Sequence, residues 1–121
     1  MKEVVIVSGA RTPIGKYRGQ LGQQRSQDLI AQSMKAAVER AGLDSSEIEI
    51  SIGGQGLQSS LPANVARHGW LLAGLSEDTA GFTINTLCAG GLQAMISSFN
   101  KLAGEEYQAI AVSGVESFSM A

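Results

Sequence analysis

Phe82-Thr83-Ile84-Asn85-Thr86-Leu87-Cys88-Ala89-Gly90-Gly91-Leu92-Gln93-Ala94-Met95 passes from a β-rich run, through a turn of small residues, into a helical pattern. Phe82-Thr83-Ile84 reads as a strand, and Leu92, Met95, Ile96, Phe99 and Leu102 recur at helical spacing until Gly104. Cys88, the chain's one cysteine, stands at the junction. A side chain at the first turn of a helix meets unpaired backbone N–H groups and the positive end of the macrodipole, an arrangement that favours a thiolate nucleophile. Gly90 and Gly91 lack a Cβ and allow a ligand's thioester to approach closely. The competing reading is a buried structural cysteine, because free cysteine is among the most buried residue types.

Working outward, Val4-Val5-Ile6-Val7 reads as a strand buried on both faces, as in parallel sheets, and Arg11 to Arg25 as a polar, Gly-rich loop. Ser26 is the expected N-cap of a helix carrying Ile30, Met34, Ala37 and Ala41 on one side and stopped by Gly42. Asp44-Ser45-Ser46-Glu47 has the form of a capping box. Ile48, Ile50 and Ile52 then alternate with polar residues as a second strand, closed by Gly53, Gly54 and Gly56. Pro62 suits the first position of a short helix from Asn64 to Ala73, stopped by Gly74. Ala109-Ile110-Ala111-Val112 is a further short strand, followed by Ser113-Gly114-Val115-Glu116-Ser117. Strands alternating with helices imply right-handed crossovers and a mostly parallel sheet with helices on its faces. Ligands of such sheets bind beyond the carboxyl ends of the strands, the end where Cys88 falls.

Composition fits one packed domain. The 121 residues are 44% hydrophobic and 17% charged, with 15 glycines and 5% aromatics. Nine Lys and Arg against eleven Asp and Glu give a net charge of −2, and no basic run is interleaved with aromatics, which argues against a nucleic-acid partner. One cysteine forms no intrachain disulfide, in keeping with a reducing compartment. No signal-like segment and no apolar stretch of membrane-spanning length is present, so the expected location is cytoplasmic, away from the membrane.

Four segments, in order, resemble the thiolase family of acetyl-CoA acetyltransferases and 3-ketoacyl-CoA thiolases: Ser8-Gly9-Ala10-Arg11-Thr12-Pro13-Ile14-Gly15-Lys16, Asn64-Val65-Ala66-Arg67, Asn85 to Ala94, and Ser113-Gly114-Val115-Glu116-Ser117-Phe118-Ser119. The resemblance implies an α/β fold, the incomplete N-terminal half of the layered αβαβα thiolase fold. It implies that residues 1–121 make up this half-domain, with the loop domain and the C-terminal half expected elsewhere. It implies Claisen condensation of acetyl-CoA, or thiolytic cleavage of a 3-ketoacyl-CoA, through an acyl-thioester on Cys88, whose backbone N–H helps hold the oxyanion. Coenzyme A thioesters are then substrates, and no separate cofactor or metal is expected. The family's activating histidine, its second, acid–base cysteine, the Asn that orders an oxyanion-hole water and the coenzyme A loop domain are expected in missing sequence or a second subunit. A homodimer or tetramer is implied, with small-residue edges near Phe82-Thr83-Ile84 as the contact surface. Family members commonly carry Gly-Ser-Gly after the cysteine, where this chain has Ala89-Gly90-Gly91. Two other readings stay open. One is a non-catalytic acyl-CoA-binding or scaffold subunit, and the other a decarboxylating condensing enzyme of the same superfamily.

Other residues have structural expectations. His68 reads as a surface or interface histidine, and Arg11, Thr12, Pro13 and Lys16 as loop anchors. Asn85 and Arg67 are expected to brace the cysteine loop or a subunit contact. Glu116 is expected to orient a loop by accepting from backbone N–H groups, and Met34, Met95 and Phe99 are expected in the core. Gly53-Gly54-Gln55-Gly56 lacks the spacing of a dinucleotide fingerprint.

Overall fold

The computed structural model describes residues 2–58 and 63–121, so the expected helix start at Pro62 lies outside the described residues. Three parallel strands, β1 (Ile50–Gly54), β2 (Ala80–Ile84) and β3 (Ile110–Gly114), form a sheet in the order β2-β1-β3. Ile52 pairs with Phe82 on one side and with Val112 on the other. Helices α1 (Ser26–Ala41) and α2 (Val65–Leu72) cover one face, and α3 (Gly90–Ala103) covers the other.

Helix–sheet packing decides which residues are buried. Ile30, Met34 and Val38 of α1 meet Val65 and Trp70 of α2 over Ala109, Ala111 and Val115. On the opposite face Ile50 and Ile52 of β1 pack with Ala94 of α3 and with Phe82, Ile84 and Tyr107. Ile48 precedes β1 and packs with the α1 cluster, so it does not share the face of Ile50 and Ile52 as their alternation suggested. Between those two isoleucines Ser51 points toward the α1 and α2 layer and donates to the Ala66 carbonyl at 3.1 Å. β1, central and parallel, is buried along its whole length.

Two helix boundaries show how the local chemistry works. Gly42, at φ +69°, caps α1 in the left-handed region that glycine adopts at least cost. Asn64 caps α2, accepting from the Arg67 N–H at 3.4 Å. The N-cap of α1, however, is Arg25, and Ser26 is the first helical residue. The Arg25 guanidinium instead binds Asp28 across the first turn at 2.7 Å. The capping box at Asp44 forms as expected: the Asp44 N–H donates to Glu47 at 2.9 Å, and Asp44 Oδ1 accepts from Ser46 N–H at 2.9 Å.

Both carboxylates carry a pH signature. The hydrogen bond from Arg25 holds the Asp28 carboxyl below its ordinary value, and the Ser46 backbone N–H does the same to Asp44. A carboxyl lowered in the folded state contributes stability that is present above its unfolded pKa, about 4, and is lost as pH falls through the folded value. Thermal melts between about pH 5 and 2 should therefore show a shallower acid limb in an Asp28→Asn, Asp44→Asn double variant than in the unsubstituted protein. Asp44 is exposed and Asp28 only partly buried, so salt should shrink the difference.

Two further expectations from the sequence are corrected. Val4-Val5-Ile6-Val7 is not a strand: Val5, Ile6 and Val7 are 65%, 81% and 64% exposed, and no backbone–backbone hydrogen bond involves residues 2–15 among the described residues. The segment is tethered by side chains, with Ser8 Oγ donating to the Ala37 carbonyl at 2.5 Å and Arg40 to the Gly9 carbonyl at 3.0 Å. Val4–Val7 lie across the cleft from the outer edge of β3, which pairs only with β1, and so stand apart from the sheet. Met95 and Phe99 are not core either, being 47% and 44% exposed. α3 turns Ala94 and Ser98 into the sheet, and its apolar stripe is wider than the face it covers. Met34 is buried as expected.

Candidate functional site

Asn85 to Ala89 join the end of β2 to the start of α3 and carry Cys88. Leu87 adopts φ +55°, an uncommon conformation for a residue with a branched side chain. The Ala89 N–H bonds the Thr86 carbonyl and the Gly90 N–H the Leu87 carbonyl, each at 3.2 Å, so the chain tightens into a turn before the helix. Cys88 is exposed, which removes the buried structural reading. It lies two residues before α3, beside the Ala89 N-cap.

Glycines seat this helix start on the sheet. A Cβ built on Gly54, the last residue of β1, would overlap the Gly90 backbone, and one on Gly114, the last residue of β3, would stand 3.1 Å from Gly91 Cα. α3 thus begins against the carboxyl ends of two strands while Cys88 follows the third. Gly90 itself leaves little room, since a Cβ there would stand 3.1 Å from Gly54 Cα. The Ala89-Gly90-Gly91 run therefore matches the contact it makes, backbone against backbone.

A cleft of about 1270 Å³ runs along β3 between the body of the domain and the segment Lys2 to Lys16, and it reaches this end. Cys88, Gly54, Gln55, Glu116, Arg11 and Lys16 are among the residues that line it, so the N-terminal loop and the cysteine turn share one space. His68, half-buried on α2, does not line it.

The bracing residues sort as follows. Asn85 does brace the cysteine loop: its Nδ2 donates to the Gly56 carbonyl and its Oδ1 accepts from the Leu87 N–H, both at 3.0 Å. Glu116 accepts from the Gly56 N–H and, at 3.2 Å, from the Leu57 N–H, the backbone role expected of it. Arg67 works elsewhere, donating to the Thr79 carbonyl at 2.5 Å and the Glu77 carbonyl at 3.0 Å, and so fixes the approach to β2 rather than the cysteine turn. Thr83 went unremarked in the sequence. Its hydroxyl donates to Asn64 Oδ1 at 2.8 Å and accepts from the Ala66 N–H at 3.1 Å, tying the strand before the cysteine to the α2 cap. Thr83 beside Phe82 and Ile84 looks like any β-branched strand residue, so only the long-range contact reveals its role.

Comparison with known proteins agrees with this geometry. The family model described as "Thiolase, N-terminal domain" matches residues 4–121. The chain belongs to the thiolase family. It is 40% identical, over its whole length, to an acetyl-CoA acetyltransferase of Escherichia coli, and 42% identical, over 99% of its length, to a beta-ketoadipyl-CoA thiolase of Pseudomonas aeruginosa. It spans 31% and 30% of those proteins. The crystal structure of the Bacillus anthracis acetyl-CoA acetyltransferase superposes with a TM-score of 0.91 at 31% identity, covering 95% of this chain and 29% of that one. The fold is thus a partial, N-terminal thiolase half, and the parallel sheet with helices on both faces is as the sequence implied. No helix among the described residues is long and apolar enough to cross a membrane.

Proposed function

We propose that this thiolase-family chain contributes the acyl-accepting part of a coenzyme A acyltransferase site, with Cys88 as the nucleophile. The observation that carries the reading is the placement of an exposed, cleft-lining thiol two residues before a helix N-terminus and beyond the carboxyl ends of parallel strands. In the proposed step the Cys88 thiol gives its proton to a base and Sγ attacks the carbonyl carbon of an acyl-CoA thioester. The tetrahedral oxyanion is held by the Cys88 N–H and a further donor, then collapses with cleavage of the bond between the carbonyl and the coenzyme A sulfur. Coenzyme A leaves with the proton, and the acyl group stays on Sγ.

A base then takes an α-proton from a second acetyl-CoA, the resulting carbanion attacks the acyl-cysteine carbonyl carbon, the bond to Sγ breaks, and the proton is returned to Sγ, giving a 3-ketoacyl-CoA and the free thiol. Thiolysis is the same sequence reversed. The names of the Escherichia coli and Bacillus anthracis relatives favour acetyl-CoA as the acyl donor. His68 does not face the cleft, so we assign the base, the second acid–base group and the coenzyme A loop to sequence outside these residues or to a second subunit. The remaining elements of the proposal are a homo-oligomer, a cytoplasmic location and no cofactor beyond the coenzyme A substrates.

Intact mass of the purified protein and its associated chains, before and after incubation with acetyl-CoA, tests this. One acetyl adduct is expected, localised by peptide mapping to Cys88 and absent from the Cys88→Ala variant. An unmodified Cys88 in the presence of every associated chain would instead favour an acyl-CoA-binding or scaffold subunit.

A further inference from the structure

Leu87, just before the proposed nucleophile, holds a backbone conformation that persists only where its surroundings over-determine it. Three contacts do so: Asn85 Oδ1 accepts its N–H, its carbonyl accepts from Gly90, and Gly56 lies so close that a Cβ there would stand 3.1 Å from Leu87 Cα. Asn85 is itself held at its other end by the Gly56 carbonyl, and these two partners settle which way its amide points. Gly56 is held in turn by Glu116, whose carboxylate accepts from the consecutive N–H groups of Gly56 and Leu57. Two N–H groups on one ionised carboxylate form a strong, charge-assisted clamp. Among the described residues Glu116 joins no ion pair, and its side-chain hydrogen bonds are to these amides. The Glu116 segment is anchored as well, with the Val115 N–H on the Gly54 carbonyl at 3.1 Å and Ser117 Oγ on the Gln24 carbonyl at 3.4 Å.

We propose that Glu116 and Asn85 are positioning residues for Cys88, coupled through Gly56 into one relay across the carboxyl ends of all three strands. The relay starts after β3, crosses the loop after β1 and ends in the turn after β2 that aims Sγ into the cleft. This inference rests on the reading of Cys88 as the nucleophile. It assigns to the last motif of the chain, Val115-Glu116-Ser117, an effect on a residue it does not touch by any hydrogen bond.

The test uses the intact protein and two readouts. Amide hydrogen exchange at Leu87 should speed up roughly five- to tenfold in Asn85→Ala, the effect of one lost hydrogen bond, and by a similar factor in Glu116→Ala. The double variant should exceed the larger single effect by little, because the two substitutions cut the same relay. Glu116→Gln, which keeps one accepting oxygen, should restore part of the protection. In the acyl-transfer assay both alanine variants should lower kcat roughly ten- to a hundredfold by misaiming Sγ while KM for acetyl-CoA stays within about twofold. If Glu116→Ala releases Gly56 and Leu57 but leaves Leu87 exchange unchanged, Glu116 is a local staple and the relay is refuted. Failure of Cys88 as nucleophile shows separately, as no acetyl adduct in the unsubstituted protein, and the exchange data decide the coupling either way.

Discussion

Gly54→Ala is expected to destabilise the fold by about 3 kcal/mol or more and to displace the cysteine turn along with the first turn of α3. The position looks innocuous, one glycine at the end of a strand. Yet β1 is the central strand, paired on both sides, and cannot move aside without breaking its ladders to β2 and β3. The atoms an added methyl would overlap belong to the Gly90 and Gly91 backbone, which has no rotamer to change. Relief must come from lifting the N-terminus of α3 off the sheet, which carries Cys88 with it and opens the contact between Gly114 and Gly91. Urea unfolding monitored by far-UV circular dichroism gives the stability change. The rate of Cys88 acetylation in the folded fraction reports the displacement. Gly42→Ala is the control: the φ of +69° costs an alanine about 1–2 kcal/mol, but nothing stands within 4 Å of the new methyl, so the cysteine turn should be unaffected.

This contrast marks how far the sequence was readable. Periodicity located α1, and Gly42 marked its end, because amphipathic spacing and a left-handed cap are local properties. The turn carrying Cys88 was legible for the same reason. Val4 to Val7 was misread because an apolar β-branched run states a propensity, while a strand needs a partner, and none pairs with it among the described residues. Ile48 shows a related limit: its spacing from Ile50 suggested a shared face, but the strand begins after it. Met95 and Phe99 fell on an apolar helical stripe, and the stripe's width alone does not say how much of it the sheet covers. At the site, the backbone role of Glu116 could be read from a carboxylate just past a strand. Its partners could not, since Gly56 and Leu57 are brought to it only by the parallel pairing of β1 with β3.

Trp70→Ala is expected to cost about 3–5 kcal/mol, the range for emptying a buried aromatic site. Trp70 is fully buried and packs in the cluster where α1, α2 and the sheet meet. Its indole N–H donates to the Ser76 carbonyl at 2.7 Å, fixing the turn that leads from α2 into β2. Alanine would remove the packing and the indole hydrogen bond, leaving the Ser76 carbonyl only the Thr79 N–H at 3.3 Å, whereas Trp70→Phe keeps most of the volume and should cost about 0.5–1.5 kcal/mol, chiefly for the lost hydrogen bond. Trp70 is the chain's one tryptophan, so unfolding must be followed by circular dichroism rather than by its fluorescence. The α1 and α2 layer and the α3 layer share the strands between them, and Ser51 and Ile52, adjacent on β1, face opposite layers. Loss of Trp70 on one face should therefore lower the midpoint of a single transition that includes α3 and the cysteine turn. A separate, unshifted transition for α3 would mean that the sheet does not transmit stability between its faces.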